Sequence, residues 1–167
     1  MPLESVSWTD VSGCGPCQDG DVELRGARPG DEGLLASVEQ AANTDALAHV
    51  FDGPYPWTAV RDRWVEVLAD PAVRAWLVVV DQVAVGYLAH DATTLRHIGV
   101  VARHRGTGLA AEVLASVPES VNRLWVLEAN TRARRFYERH GWRPDGRSQP
   151  CEFEPFPVEV GYSRAPC

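Results

Sequence analysis

The sequence predicts a single α/β (α+β) domain with one mixed central sheet flanked by helices, and three observations carry that expectation. Apolar residues recur at helical spacing in Leu34, Leu35, Val38 and Ala42, pass into β-type runs between Ala75 and Val101, and return to helical spacing after Gly108. Helices and strands that alternate in this way layer around one sheet. The chain has 167 residues, 45% of them hydrophobic, which suits one domain with a proper core. Finally, the stretch ending at Val101 runs into Arg105-Gly106-Thr107-Gly108-Leu109-Ala110, a glycine turn that opens a helix.

The elements follow in order. Met1 to Gly20 is rich in Ser, Gly and Asp and has no periodicity, so residues 1–21 are expected to form a poorly ordered leader and residues 22–167 the domain. Val22 to Arg28 reads as an edge strand, and Asp31 is placed to cap the first helix. Thr58 is placed to cap a second, with Val60, Trp64, Val67 and Leu68 as its inner face and Asp70-Pro71 as its end. Ala75–Val80, Val83–His90 and Thr94–Val101 are rich in β-branched and aromatic residues and read as strands, with a turn at Asp81-Gln82 and a bulge at Gly86. Leu109, Val113 and Leu114 mark a short helix closed off by Pro118, and Asn122–Glu128 is a further strand. Thr131–His140 is an amphipathic helix ended by Gly141, and the last strands are expected at Cys151–Phe156 and Val158–Arg164.

The glycine turn has the chemistry of an anion cradle. Glycine reaches backbone conformations closed to other residues, and the first N–H groups of a helix lack intrahelical acceptors. Arg103 and Arg105 add positive charge, so the expected occupant is a pyrophosphate. Gly106-x-Gly108-x-x-Ala111 also satisfies the dinucleotide fingerprint, with Glu128 placed to meet a ribose. That reading lacks room, because a doubly wound sheet needs several more strand and helix units than remain before Cys167. A P-loop lacks its Lys-Ser or Lys-Thr after Gly108. Coenzyme A is the remaining common user of such a loop.

At these residues the chain resembles the GNAT superfamily of acyl-CoA-dependent N-acetyltransferases. Arg105, Gly108 and Ala110 match its Arg/Gln-x-x-Gly-x-Gly/Ala signature, with Ile98-Gly99-Val100-Val101 as the splayed central strand before it. Leu124 to Glu128, Asn130, Ala133, Phe136-Tyr137 and Gly141-Trp142 match a second motif of strand, Asn, x-x-Ala, Phe-Tyr and closing Gly-aromatic. The resemblance spans roughly Val22 to Arg164 and implies a GNAT-type mixed sheet with acetyl-CoA as cosubstrate. It further implies that Val100 and Val101, the loop Arg105, Gly106, Thr107, Gly108, Leu109 and Ala110, and Asn130 and Tyr137 bind the cofactor. A free N–H near Val100 or Val101 would polarise the thioester carbonyl, and Tyr137 would protonate the departing thiolate.

Composition narrows the partners. All 16 basic residues are Arg, and the net charge of −7, without aromatic residues interleaved among basic ones, argues against nucleic acid. The apolar run Ala75–Val80 is too short to cross a bilayer and nothing resembles a signal peptide, so a cytoplasmic protein is expected, with a homodimer left open. No metal is expected. Cys14-Gly15-Pro16-Cys17 lacks the strand and helix that a redox pair needs, and a zinc site formed with Cys151 and Cys167 competes with free thiols or a disulfide.

The general base stays open. Trp125 stands nearest the position where some family members carry a strand Glu, which leaves Glu128, His97, His90, Asp91 or water. For the acceptor, residues 1–60 carry ten acids against Arg25 and Arg28, whereas residues 96–147 carry ten Arg against five acids. Asp45, His49, Asp52 and Tyr55-Pro56-Trp57, in the connection between the first two helices, would suit a cationic amine approaching over Asn43 to Trp57. A non-catalytic acyl-CoA sensor is the alternative function, and a dinucleotide-binding protein stands behind it.

Overall fold

The computed structural model describes residues 22–51 and 53–165, so the leader with Cys14 and Cys17, together with Asp52 and Cys167, lies outside the described residues. One seven-stranded sheet forms the centre. Strands β1 (Val22–Gly26), β2 (Arg74–Val80), β3 (Val83–His90) and β4 (Thr94–Val100) make an antiparallel half, and β5 (Arg123–Leu127) joins β4 in parallel. Beyond β5 come β7 (Val158–Ser163) and then β6 (Arg143–Pro150) at the far edge, both antiparallel to their neighbours. The helices are α1 (Glu32–Asn43), α2 (Trp57–Ala69), α3 (Leu109–Ala115) and α4 (Thr131–Arg139).

Local chemistry accounts for most of these elements. Asp81 and Gln82 link β2 to β3 with φ of +49° and +64°, the two left-handed residues of a tight hairpin turn. Val78 faces Gly86 but Val79 faces Ala84, so Val85 is left over as a bulge beside Gly86, as the sequence predicts. A Cβ on Gly86 would come within 2.6 Å of the Gly99 carbonyl oxygen. Gly99 is held to glycine in the same way, because its Cβ would stand 2.5 Å from the Tyr87 hydroxyl.

Trp64 of α2 seals one face of the sheet. Its ring meets Tyr87 edge-on at 5.8 Å and lies 5.0 Å from His97, while Glu39 of α1 accepts hydrogen bonds from Trp64 Nε1 at 2.8 Å and Arg63 Nη2. Glu39 is only 6% exposed, and paired donors are what make a carboxylate tolerable at such depth.

The feature that shapes the site lies between β4 and β5. Only Thr94 with Arg123 and Leu95 with Leu124 are paired, and beyond them the two strands part.

Three expectations need correction. Asp31 stands at the N-cap of α1, but its carboxylate accepts from Arg25 and the Arg28 amide instead of from the helix. The second helix begins at Trp57, one residue before Thr58, with Pro56 in the cap position. The strand expected at Cys151–Phe156 is Arg143–Pro150, and residues 151–157 connect it to β7. Its polar, proline-containing sequence has no strand character; pairing with β7 makes it a strand, and an exposed edge tolerates proline. No helix among the described residues is long and apolar enough to cross a membrane.

Candidate active site

After β4 the chain makes a 3-10 turn, Ala102–His104, and then the glycine loop, where Gly106 and Gly108 have φ of +78° and +96°. Both glycines are needed for conformation, since a Cβ on either would meet nothing within 4 Å. The amides of Gly106, Thr107, Gly108 and Ala110 have no protein acceptor among the described residues, and Gly106 to Gly108 are exposed. Thr107 braces the loop by donating its hydroxyl to the His104 carbonyl at 2.8 Å. Unpaired amides facing open space, with the exposed Arg103 close in sequence, fit a pyrophosphate. Leu109 is buried in the core and Ala110 half-buried, so their side chains pack the helix behind the loop.

Arg105 does something other than its charge suggested. Its guanidinium donates to the Ala42 carbonyl at the C-terminal end of α1, a helix with no basic residue in its last turn. The side chain thereby ties α1 to the glycine loop, leaving the backbone to face an anion.

Along β4 the amides alternate in direction. Val101 N–H donates to the Val85 carbonyl at 2.8 Å and is unavailable for polarising a thioester. Alternation turns the Val100 amide the opposite way, toward the side from which β5 has departed.

Asn130 caps α4, its side-chain oxygen accepting from the Ala133 amide at 3.1 Å. The cap leaves its NH₂ group as the end able to meet a ligand. Tyr137, on the same helix, is 8% exposed and packs against Phe136, Trp142 and Tyr162. Its hydroxyl has no hydrogen-bond partner among the described residues, and burial pushes its acidity far below that of a free phenol, so it stays protonated at neutral pH.

A cavity of about 1140 Å³ opens where the strands part, lined by Leu95 and His97 of β4 and by Trp125 and Leu127 of β5. Around it stand Glu39, Glu66, Asp70, Asp91, Glu152 and Glu159 against Arg63 and Arg96, with Tyr55, Phe51 and Phe153 as aromatic walls. Of the acceptor residues expected from sequence, Asn43, Tyr55 and Pro56 line the cavity, and Asp45, His49 and Trp57 do not. His49 Nε2 instead bonds the Ala129 carbonyl at 3.1 Å, joining the helix connection to the end of β5. The carboxylates Glu152 and Glu159 come from the β6–β7 region, which carried no local signal of function.

A glycine loop with amides free among the described residues stands at the end of a parted sheet, beside an acid-lined cavity. The chain belongs to the acetyltransferase (GNAT) domain family, whose model matches residues 34–156. It is a GNAT-type acetyltransferase and its acetyl donor is acetyl-CoA. Solved structures share the fold. An acetyltransferase from Thermus thermophilus superposes with a TM-score of 0.63 at 24% identity, over 86% of this chain and 96% of that one. The PaiA N-acetyltransferase from Thermoplasma acidophilum, in complex with coenzyme A, gives 0.66 at 11% identity over 85% and 98%. A chimera of the spermidine N-acetyltransferase SpeG from Vibrio cholerae gives 0.58 at 15% identity over 86% and 94%. No curated protein matches the chain.

Proposed function

We propose that the protein transfers the acetyl group of acetyl-CoA to a primary amine of a cationic small molecule or peptide, by direct attack in a ternary complex. The observation that carries this reading is the acid-lined cavity at the parting of β4 and β5. Acetyl-CoA supplies an activated thioester; the chain's residues bind, orient and manage protons. The amides of Gly106, Thr107, Gly108 and Ala110 hold the pyrophosphate, and the Val100 amide and the Asn130 NH₂ group engage the pantetheine arm. The Val100 N–H also polarises the carbonyl as charge develops on its oxygen. Tyr137 gives its proton to the departing thiolate.

Six carboxylates against two guanidiniums make the cavity attractive to a cation, and the aromatic walls add cation–π contact. Spermidine, which the structurally similar SpeG acetylates by its name, is a cation of this class. Added salt should therefore raise the KM for the amine severalfold, and the substitutions Glu66→Gln and Glu159→Gln should each do so while leaving that for acetyl-CoA unchanged. Steady-state kinetics with each substrate varied in turn is the test. Equal turnover of neutral or acidic amines would remove the cationic acceptor.

A further inference from the structure

Most histidines in the described chain are already engaged. His49 bonds the Ala129 carbonyl, His90 Nδ1 lies 2.8 Å from the Asp91 carbonyl with its ring stacked on Trp76, and His140 Nδ1 lies 2.7 Å from the Phe136 carbonyl. His104 sits in the turn before the glycine loop, away from the cavity. His97 differs from all of them. It lines the cavity, its ring rests on Trp64, and neither of its nitrogens has a hydrogen-bond partner among the described residues. It also lies on β4 beyond Leu95, where β5 has left, and three residues before Val100.

Of the carboxylates that line the cavity, all but Glu66 of α2 already hold a partner among the described residues. Asp91 accepts from the Thr93 and Thr94 amides and from Arg96 Nε at 2.9, 2.7 and 2.8 Å. Glu39 holds Arg63 and Trp64, Glu159 accepts from Gln149, and Glu128 is exposed beyond the end of β5, outside the cavity lining.

We propose that His97 is the general base, taking the proton of the attacking amine. The inference rests on the acetyl-transfer reading above. The amine nitrogen forms its bond to the acetyl carbon and becomes acidic as it does so. Its proton passes to a His97 ring nitrogen, the carbon–sulfur bond breaks, and the thiolate receives a proton from Tyr137. His97 later returns its proton to solvent and Tyr137 regains one, so nothing else is consumed.

Charged and polar groups stand around the ring. Arg63, neutralised by Glu39 and Glu152, lies on the α2 side, Arg96 paired with Asp91 lies along β4, and the Tyr87 hydroxyl lies on β3. Tyr55 and Glu159 also line the cavity. Burial first, then Arg63 and Arg96, holds the imidazole well below its usual pKa, so it is neutral and able to accept a proton at pH 7.

The test is carried out on the full chain with an amine that the wild type acetylates. His97→Gln should keep the acetyl-CoA-induced rise in melting temperature and lower kcat by about a hundredfold or more. His97→Leu, which keeps an apolar side chain against Trp64, should lose as much turnover; a side chain needed only for packing would be replaced by Leu without loss. Added imidazole should restore turnover to His97→Ala, in proportion to its neutral fraction as pH is varied. Turnover within threefold of wild type in His97→Gln or His97→Leu overturns the proposal. A wild type that binds acetyl-CoA and acetylates no amine overturns the acceptor reading and the base with it, whereas an active wild type with active variants removes the base alone.

Discussion

Gly108→Val is expected to abolish the rise in melting temperature that acetyl-CoA gives the wild type. A ligand that prefers the native state stabilises it by mass action, by about 2.7 kcal/mol at a hundredfold excess over Kd. The loop contributes amides without protein acceptors among the described residues, and a valine at residue 108 would project its side chain into the open space in front of them. The valine would also strain a backbone at φ +96°, at a cost of about 1–3 kcal/mol, so the variant should melt lower even without ligand. The informative quantity is therefore the ligand-induced shift within each protein, measured by calorimetry or dye-monitored melting. NAD should shift neither protein. A shift with NAD and none with acetyl-CoA would reinstate the dinucleotide reading.

Tyr137→Phe should bind acetyl-CoA as the wild type does and turn over about ten to a thousand times more slowly, the scale of losing a general acid. The substitution removes one oxygen from a ring packed against Phe136, Trp142 and Tyr162, so packing survives while the proton is lost. Because burial raises the phenol's pKa, the wild-type acid stays loaded through neutral and mildly alkaline pH, and the defect should persist across that range. Stopped-flow acetyl transfer in a single turnover separates this step from product release. An unchanged single-turnover rate would return Tyr137 to a packing role.

What the sequence disclosed was local. The turn at Asp81-Gln82, the bulge beside Gly86 and the glycine loop each depend on neighbours a few residues away, and each lies where the sequence puts it. The errors came from long-range pairing. Arg143–Pro150 becomes a strand only because β7 lies beside it, and Asp31 turns away from its helix because Arg25 reaches it. Arg105, expected at the cofactor, reaches the Ala42 carbonyl of α1, a contact that no local pattern signals.

The same limit applies to the site. The cofactor motifs are contiguous segments and could be read directly, whereas the cavity combines residues from α1, α2, β4, β5 and the β6–β7 region. Glu152 and Glu159 are far in sequence from Arg63, with which they share that wall. His97 was one side-chain candidate among four for the base, and tertiary contacts distinguish it: the cavity it lines, the packing of Trp64 and the departure of β5.

Release of free CoA thiol from acetyl-CoA, recorded with the purified protein across a panel of amines, tests acetyl transfer most directly. Polyamines, aminoglycosides and peptides with basic N-terminal ends should give thiol release that depends on both amine and protein, with the acetylated amine appearing in equal amount by mass spectrometry. Acetyl-CoA that binds and stabilises the protein while no amine in the panel releases thiol would contradict the assignment and leave a protein that holds the acyl carrier without transferring from it.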